Sequence, residues 1–146
     1  MKKIILLTSV IVVLTAVVFN RKIKEVVNPE KPVSKDISFA VYAGGNYSAS
    51  VYDASKAQLH VTISKIKNHR ESILWQKTFD AMELKNIPAE SNAISQVVHI
   101  NNLFEKKEEL IVTYTLTYDS KGSILQRYNG EVITKGNRAN RLLIGI

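Results

Sequence analysis

The chain has 146 residues, with 20 Lys+Arg against 13 Asp+Glu for a formal net charge of +7, and it has no cysteine. At roughly 100–200 residues per domain this allows one folded unit, which excludes a barrel enzyme or a two-domain nucleotide-binding architecture. Without Cys there is no disulfide, no thiolate zinc site, no Cys nucleophile and no lipid-modified N-terminal Cys.

Met1-Lys2-Lys3 opens the chain and is followed by sixteen uncharged residues, Ile4 to Phe19, in which only Thr8, Ser9 and Thr15 are polar. A two-lysine start with an immediate apolar run is the layout of a bacterial export segment rather than part of a fold. As a helix it would span about 24 Å, between a signal-peptide apolar region and the roughly 30 Å hydrocarbon core. Residues 1–19 read as a signal peptide or a membrane anchor, and because Leu14-x-Ala16 and Ala16-x-Val18 are poor cleavage patterns the uncleaved anchor is favoured. Membrane contact is assigned to residues 4–19. Arg21, Lys22, Lys24, Lys31 and Lys35 follow the apolar run, and a literal positive-inside count would keep the domain in the cytoplasm. The export layout is preferred, which places the domain on the periplasmic or extracellular side, tethered to the inner membrane or secreted. Residues 20–35 are polar, with Pro29 and Pro32, and read as a linker.

From Asp36 to Ile146 the pattern is period two almost throughout. Leu59, Val61 and Ile63 alternate with His60, Thr62 and Ser64, and Leu110–Tyr118 does the same with threonine on its outer face. Further strands are expected at Ile37–Ala43, Tyr47–Tyr52, Ser72–Phe79, Ile94–Ile100 and Ser123–Ile133. Gly44-Gly45-Asn46, Lys67–Glu71 and Asp119-Ser120-Lys121-Gly122 supply turns. About seven strands without a helical stripe indicate an all-β, immunoglobulin-like antiparallel β-sandwich over residues 36–146, preceded by an N-terminal apolar helix. Trp75, Phe79, Tyr114 and Leu116 are the expected centre of its core. Leu142–Ile146 reads as a last strand or apolar strap closing the sandwich, or as a segment added to a partner's sheet edge.

The alternating LHVTI, a strand ending in Phe79, LKNIPAES at Leu84–Ser91, and ELIVTYTLTYDSKGSILQRY at Glu109–Tyr128 together resemble the non-catalytic immunoglobulin-like domains of β-mannosidase- and β-galactosidase-type glycosidases. The similarity runs from Ala57 to Thr134. The catalytic barrel of those enzymes is absent from it, so the resemblance implies an accessory or binding sandwich without activity.

The net charge does not mark a nucleic-acid surface. Residues 1–35 hold seven basic and two acidic side chains, and the last twelve add Lys135, Arg138 and Arg141, whereas Asp36–Thr134 carries 10 basic and 11 acidic groups. A phosphate-binding face needs its charge on the folded body. His60, His69 and His99 lack metal-ligand spacing and read as surface histidines, with His60 and His99 able to meet only if their strands are neighbours. Asp53, Asp80 and Asp119 sit at strand ends as turn caps, and no spacing announces a glycosidase carboxylate pair. The chain therefore reads as no enzyme and as needing no cofactor. Tyr42, Tyr47 and Tyr52, five residues apart around Gly44-Gly45, are the candidate surface for a ligand or partner, either an envelope protein or a glycan.

Overall fold

The computed structural model describes residues 29–146. The expected signal or anchor over 1–19, its apolar helix and residues 20–28 of the linker lie outside the described residues. Eight strands follow: β1 (Val33–Tyr42), β2 (Ser55–Lys67), β3 (Arg70–Thr78), β4 (Met82–Glu83), β5 (Ile94–Leu103), β6 (Glu108–Ser120), β7 (Ser123–Val132) and β8 (Ala139–Gly145). They form a three-stranded sheet in the order β5-β1-β8 and a five-stranded sheet in the order β3-β2-β6-β7, with the short β4 on β2. Side chains from both sheets enter one hydrophobic core, so the fold is an all-β sandwich.

Both long hairpins follow from local sequence. Asn68 and His69 (φ 51° and 60°) join β2 to β3, and Lys121 and Gly122 (φ 53° and 88°) join β6 to β7. Two central residues in the left-handed region make a turn whose twist matches its strands. Asp119 accepts the Gly122 N–H at 3.0 Å, which is the turn cap expected of it.

Four sequence expectations are corrected. Tyr47–Tyr52 is a loop carrying one 3-10 turn, Ser50–Tyr52, and no strand. The sandwich is not wholly antiparallel, because β8 runs parallel to β1 in the register Asp36↔Ala139 to Tyr42↔Gly145. β1 begins at Val33, ahead of Asp36, so Lys35 is a strand residue rather than linker charge. Of the four side chains expected at the core centre only Leu116 is there; Trp75, Phe79 and Tyr114 are half-buried and pack against its margin. The centre is instead Ile37, Phe39, Val61, Ile63, Val112 and Ile144, each 1 % exposed or less. Phe39 reaches across the sandwich to stack on Trp75, centroids 5.9 Å apart and planes 15° off parallel. Only three strands cover the larger sheet, so every residue of β7 is exposed.

At the end of the sandwich where β1 begins, buried ions join the buried apolar side chains of Leu103, Leu110 and Ile133. Lys35 continues the inward row of Ile37, Phe39 and Val41 and is 2 % exposed. Its ammonium lies 2.6 Å from Glu105 and donates to the carbonyls of Thr134 (2.7 Å) and Asn137 (2.8 Å). Glu105 also accepts the Gly136 N–H at 3.0 Å. Glu108, equally buried, extends the inward row of β6; it accepts the Phe104 N–H at 3.0 Å and faces Lys65 at 3.3 Å and Lys67 at 3.1 Å. A buried ion is tolerable when its charge and lone pairs are met, as both are here.

Each carboxyl is held below the usual carboxylate range, Glu105 chiefly by the Lys35 hydrogen bond and Glu108 chiefly by the Phe104 amide against the opposing effect of burial. A depressed folded value contributes stability that is present above the unfolded value and lost as pH falls through the folded one. Urea unfolding of the protein should give a near-constant contribution from these groups between about pH 7 and pH 5, then a decline below about pH 4. Glu108→Gln should cost about 2 kcal/mol at neutral pH and show a shallower acid decline, because the charge-assisted bonds are already gone.

Candidate functional site

The opposite end of the sandwich is built differently. β1 and β8 run in parallel and finish side by side, Tyr42 against Gly145. The chain leaves β1 through Gly44, where an added Cβ would stand 3.1 Å from the Ile146 carbonyl oxygen and 3.3 Å from the Gly145 backbone. Glycine is required there by close approach, since the Gly44 N–H donates to Ile146 O at 2.7 Å and the Ile146 N–H to Tyr42 O at 2.9 Å. The loop then turns back, and the Tyr47 hydroxyl donates to the same Ile146 oxygen at 2.5 Å. Tyr52, carried by the 3-10 turn, meets Tyr47 edge-on, with ring centroids 5.2 Å apart and planes at 85°.

These rings form one wall of an open groove of about 420 Å³. Its other wall comes from Tyr118 at the end of the inward row of β6, with Ile124 and Leu125 from the start of β7, and Leu84 closes the base. Val51 stands at the rim with 68 % exposure, and Ile124 and Leu125 are 69 % and 66 % exposed. Ser55 and Ser120 bond to each other at 3.0 Å along one side. Burial holds the Tyr47 and Tyr118 phenols above their ordinary value, and in each case a neighbouring tyrosine adds to the effect. Both therefore stay neutral and keep a hydroxyl hydrogen to donate.

Of the three tyrosines singled out in the sequence, Tyr47 and Tyr52 come together and Tyr42 does not. Tyr42 lies on the outward side of β1, with its ring 3.5 Å from where a Gly145 side chain would start. Tyr118 belongs to the groove but was not legible as such, because in sequence it is one more inward position of an alternating strand. Its place at the last turn of that strand, next to Asp119-Ser120-Lys121-Gly122, was the available signal.

The groove is lined mainly by aromatic and aliphatic side chains and serine hydroxyls. Asp119 is the one carboxylate lining it, and that side chain already binds the Gly122 amide. His60 and His99 cannot meet, because β2 and β5 belong to different sheets. His60 lies between Thr78 at 2.7 Å and Thr62 at 3.1 Å, and His99 is 2.6 Å from Asp36 on the surface. Among the described residues no three His, Asp or Glu side chains come together to hold a metal ion.

Compared with known proteins, the chain matches no family model, no curated protein and no solved structure.

The Tyr47 hydroxyl ties the aromatic loop to Ile146, directly after β8. Tyr47→Phe should lower stability by about 1 kcal/mol and leave the core intact. Chemical denaturation, with near-ultraviolet circular dichroism reporting the tyrosine environment, measures both effects.

Proposed function

We propose that this chain is a non-catalytic binding or scaffold module of the bacterial cell envelope, exported or held to a membrane by residues 4–19, with an immunoglobulin-like sandwich. The observation that carries the reading is the aromatic groove at the end of the sandwich remote from Val33, where the chain joins the folded body. A concave, largely apolar site with a few aimed hydroxyls and no spare acid or base suits recognition and not bond cleavage.

Strand order supports the immunoglobulin-like assignment. The order β3-β2-β6-β7 parallels the C′-C-F-G sheet of that fold, and β1 beside β5 parallels its B and E strands. β8 takes the place beside β1 that strand A holds in an immunoglobulin domain. The resemblance to glycosidase accessory domains agrees with this arrangement, and a fold of this kind hosts many unrelated partners. The Lys-Lys start and apolar run favour export. The groove's preferred occupant is a protein partner in the envelope, since Tyr with exposed aliphatic neighbours is the composition of a contact surface.

A second reading, an accessory carbohydrate-binding module, is favoured by the Tyr47–Tyr52 pair itself. Ring faces stack on the C–H faces of sugars and hydroxyls bond to theirs, so a glycan would use the same groove.

A photo-crosslinking side chain at Val51 in the full membrane-bound chain should form a reproducible adduct that Tyr52→Ala abolishes, while the same group at the outward-facing Leu143 forms none. Equal adducts at both positions, or adducts indifferent to Tyr52, would remove the groove as the contact. Retention of one sugar class on a glycan array, again lost with Tyr52→Ala, would replace the protein partner with a glycan.

A further inference from the structure

β7 is an open edge of the larger sheet. It runs ten residues, Ser123–Val132, pairs only with β6, and holds that pairing without a bulge from Ile111↔Val132 to Ser120↔Ser123. Sheet edges are usually blunted by Pro, Lys, a bulge or an overlying segment. The other long edge of the same sheet, β3, has a register break at Leu74, opposite Ile63 and Ser64 of β2, and carries Arg70, Glu71 and Lys77. β7 has neither Pro nor Lys, and every one of its residues is exposed. Its free backbone groups are set by the turn. A two-residue loop closes on a hydrogen-bonded pair, Ser120 with Ser123, and such pairs recur at every second residue. The N–H and C=O groups of Ile124, Gln126, Tyr128, Gly130 and Val132 therefore point away from β6.

We propose that β7 pairs antiparallel with β7 of a second copy of this chain, about a twofold axis at Asn129. The choice of occupant rests on charge. Arg127 and Glu131 are the only ionisable groups on the strand apart from Tyr128, and among the described residues neither is in an ion pair. They lie on one face, two residues either side of Asn129. A twofold centred there sets each Arg127 directly opposite the Glu131 of the other copy, in the non-hydrogen-bonded sites where side chains approach most closely. The same register places Tyr128 opposite Gly130, whose missing side chain leaves room for the ring. It also makes Tyr128 and Gly130 a hydrogen-bonded pair, which the outward direction of their backbone groups requires. Shifting the centre by one or two residues breaks both ion pairs. The strand is thus complementary to itself in one register, and because each copy contributes the same edge the assembly closes at two. The joined sheet reads β3-β2-β6-β7 in one copy continued by β7-β6-β2-β3 in the other. Its two Val33 ends lie at opposite sides, and residues 20–32, which can extend to about 45 Å, are long enough for both to reach one membrane.

The absence of cysteine makes the test clean. In the full chain in membranes, Asn129→Cys should give a disulfide-linked dimer under mild oxidation, because the two positions face each other across the axis. Lys121→Cys, about 50 Å from its copy in this register, should not. Adding Arg127→Glu or Glu131→Arg to Asn129→Cys should cut the linked fraction roughly fivefold or more, and the double reversal should restore it. Light scattering of the unmodified chain in detergent should give the mass of two copies. A monomer mass, linkage as efficient at Lys121 as at Asn129, or linkage indifferent to both charge reversals would each overturn the proposal.

Discussion

The arrangement of the smaller sheet hangs on the ammonium of Lys35. A lysine at 2 % exposure survives only if its charge is met, and here the partners come from two separate loops, Glu105 after β5 and the Thr134 and Asn137 carbonyls between β7 and β8. The second loop is held at more points than those: Gly136 donates to Glu105 and Arg138 accepts from Asp36. A chain crossing from the larger sheet to the smaller one is thereby aimed along β1, and it continues as β8 in parallel register. That register carries Ile146 to the far end, where its backbone receives Gly44 and the Tyr47 hydroxyl. One buried charge is thus linked, through seven paired residues of β8, to the placement of the aromatic groove.

Glu108 completes the same logic with the opposite sign. Its carboxylate ends the inward row of β6, and its bond to the Phe104 amide closes the turn that also delivers Glu105. Ion pairs line one end of the core beside Leu103, Leu110 and Ile133, and aromatic rings line the other. A site of exposed rings needs a rigid frame to keep its geometry in water, and the ion-paired end supplies part of it.

Strand content was legible because alternation is a direct record of a half-buried sheet. Leu59–Ile63 and Leu110–Tyr118 lie where the pattern put them, within β2 and β6. What stayed hidden depends on which strand faces which. Large rings were expected at the centre, but Trp75 and Tyr114 sit where only three strands cover a wider sheet, so their outer parts remain open. Phe39 looked like one apolar residue among several and proves central because β1 is the middle strand of its sheet. Lys35 read as one more terminal charge, and nothing in its neighbours announced that two loops would converge on it. Tyr42, Tyr47 and Tyr52 were singled out together, with Tyr47–Tyr52 expected as a strand; the glycine approach to Ile146 turns that stretch into a loop, which sets Tyr47 against Tyr52 and leaves Tyr42 apart. The net charge of +7 has become local in meaning, since one of its members is a structural ion and not part of any field at the surface.

Amide hydrogen exchange on Lys35→Met tests most directly whether this one ion organises the small sheet and, through it, the groove. The account predicts faster exchange through β8 and in the loop bearing Tyr47 and Tyr52, with the amides shared by β2 and β6 still protected. Unchanged protection in β8 and the tyrosine loop, or a uniform loss across both sheets, would contradict it.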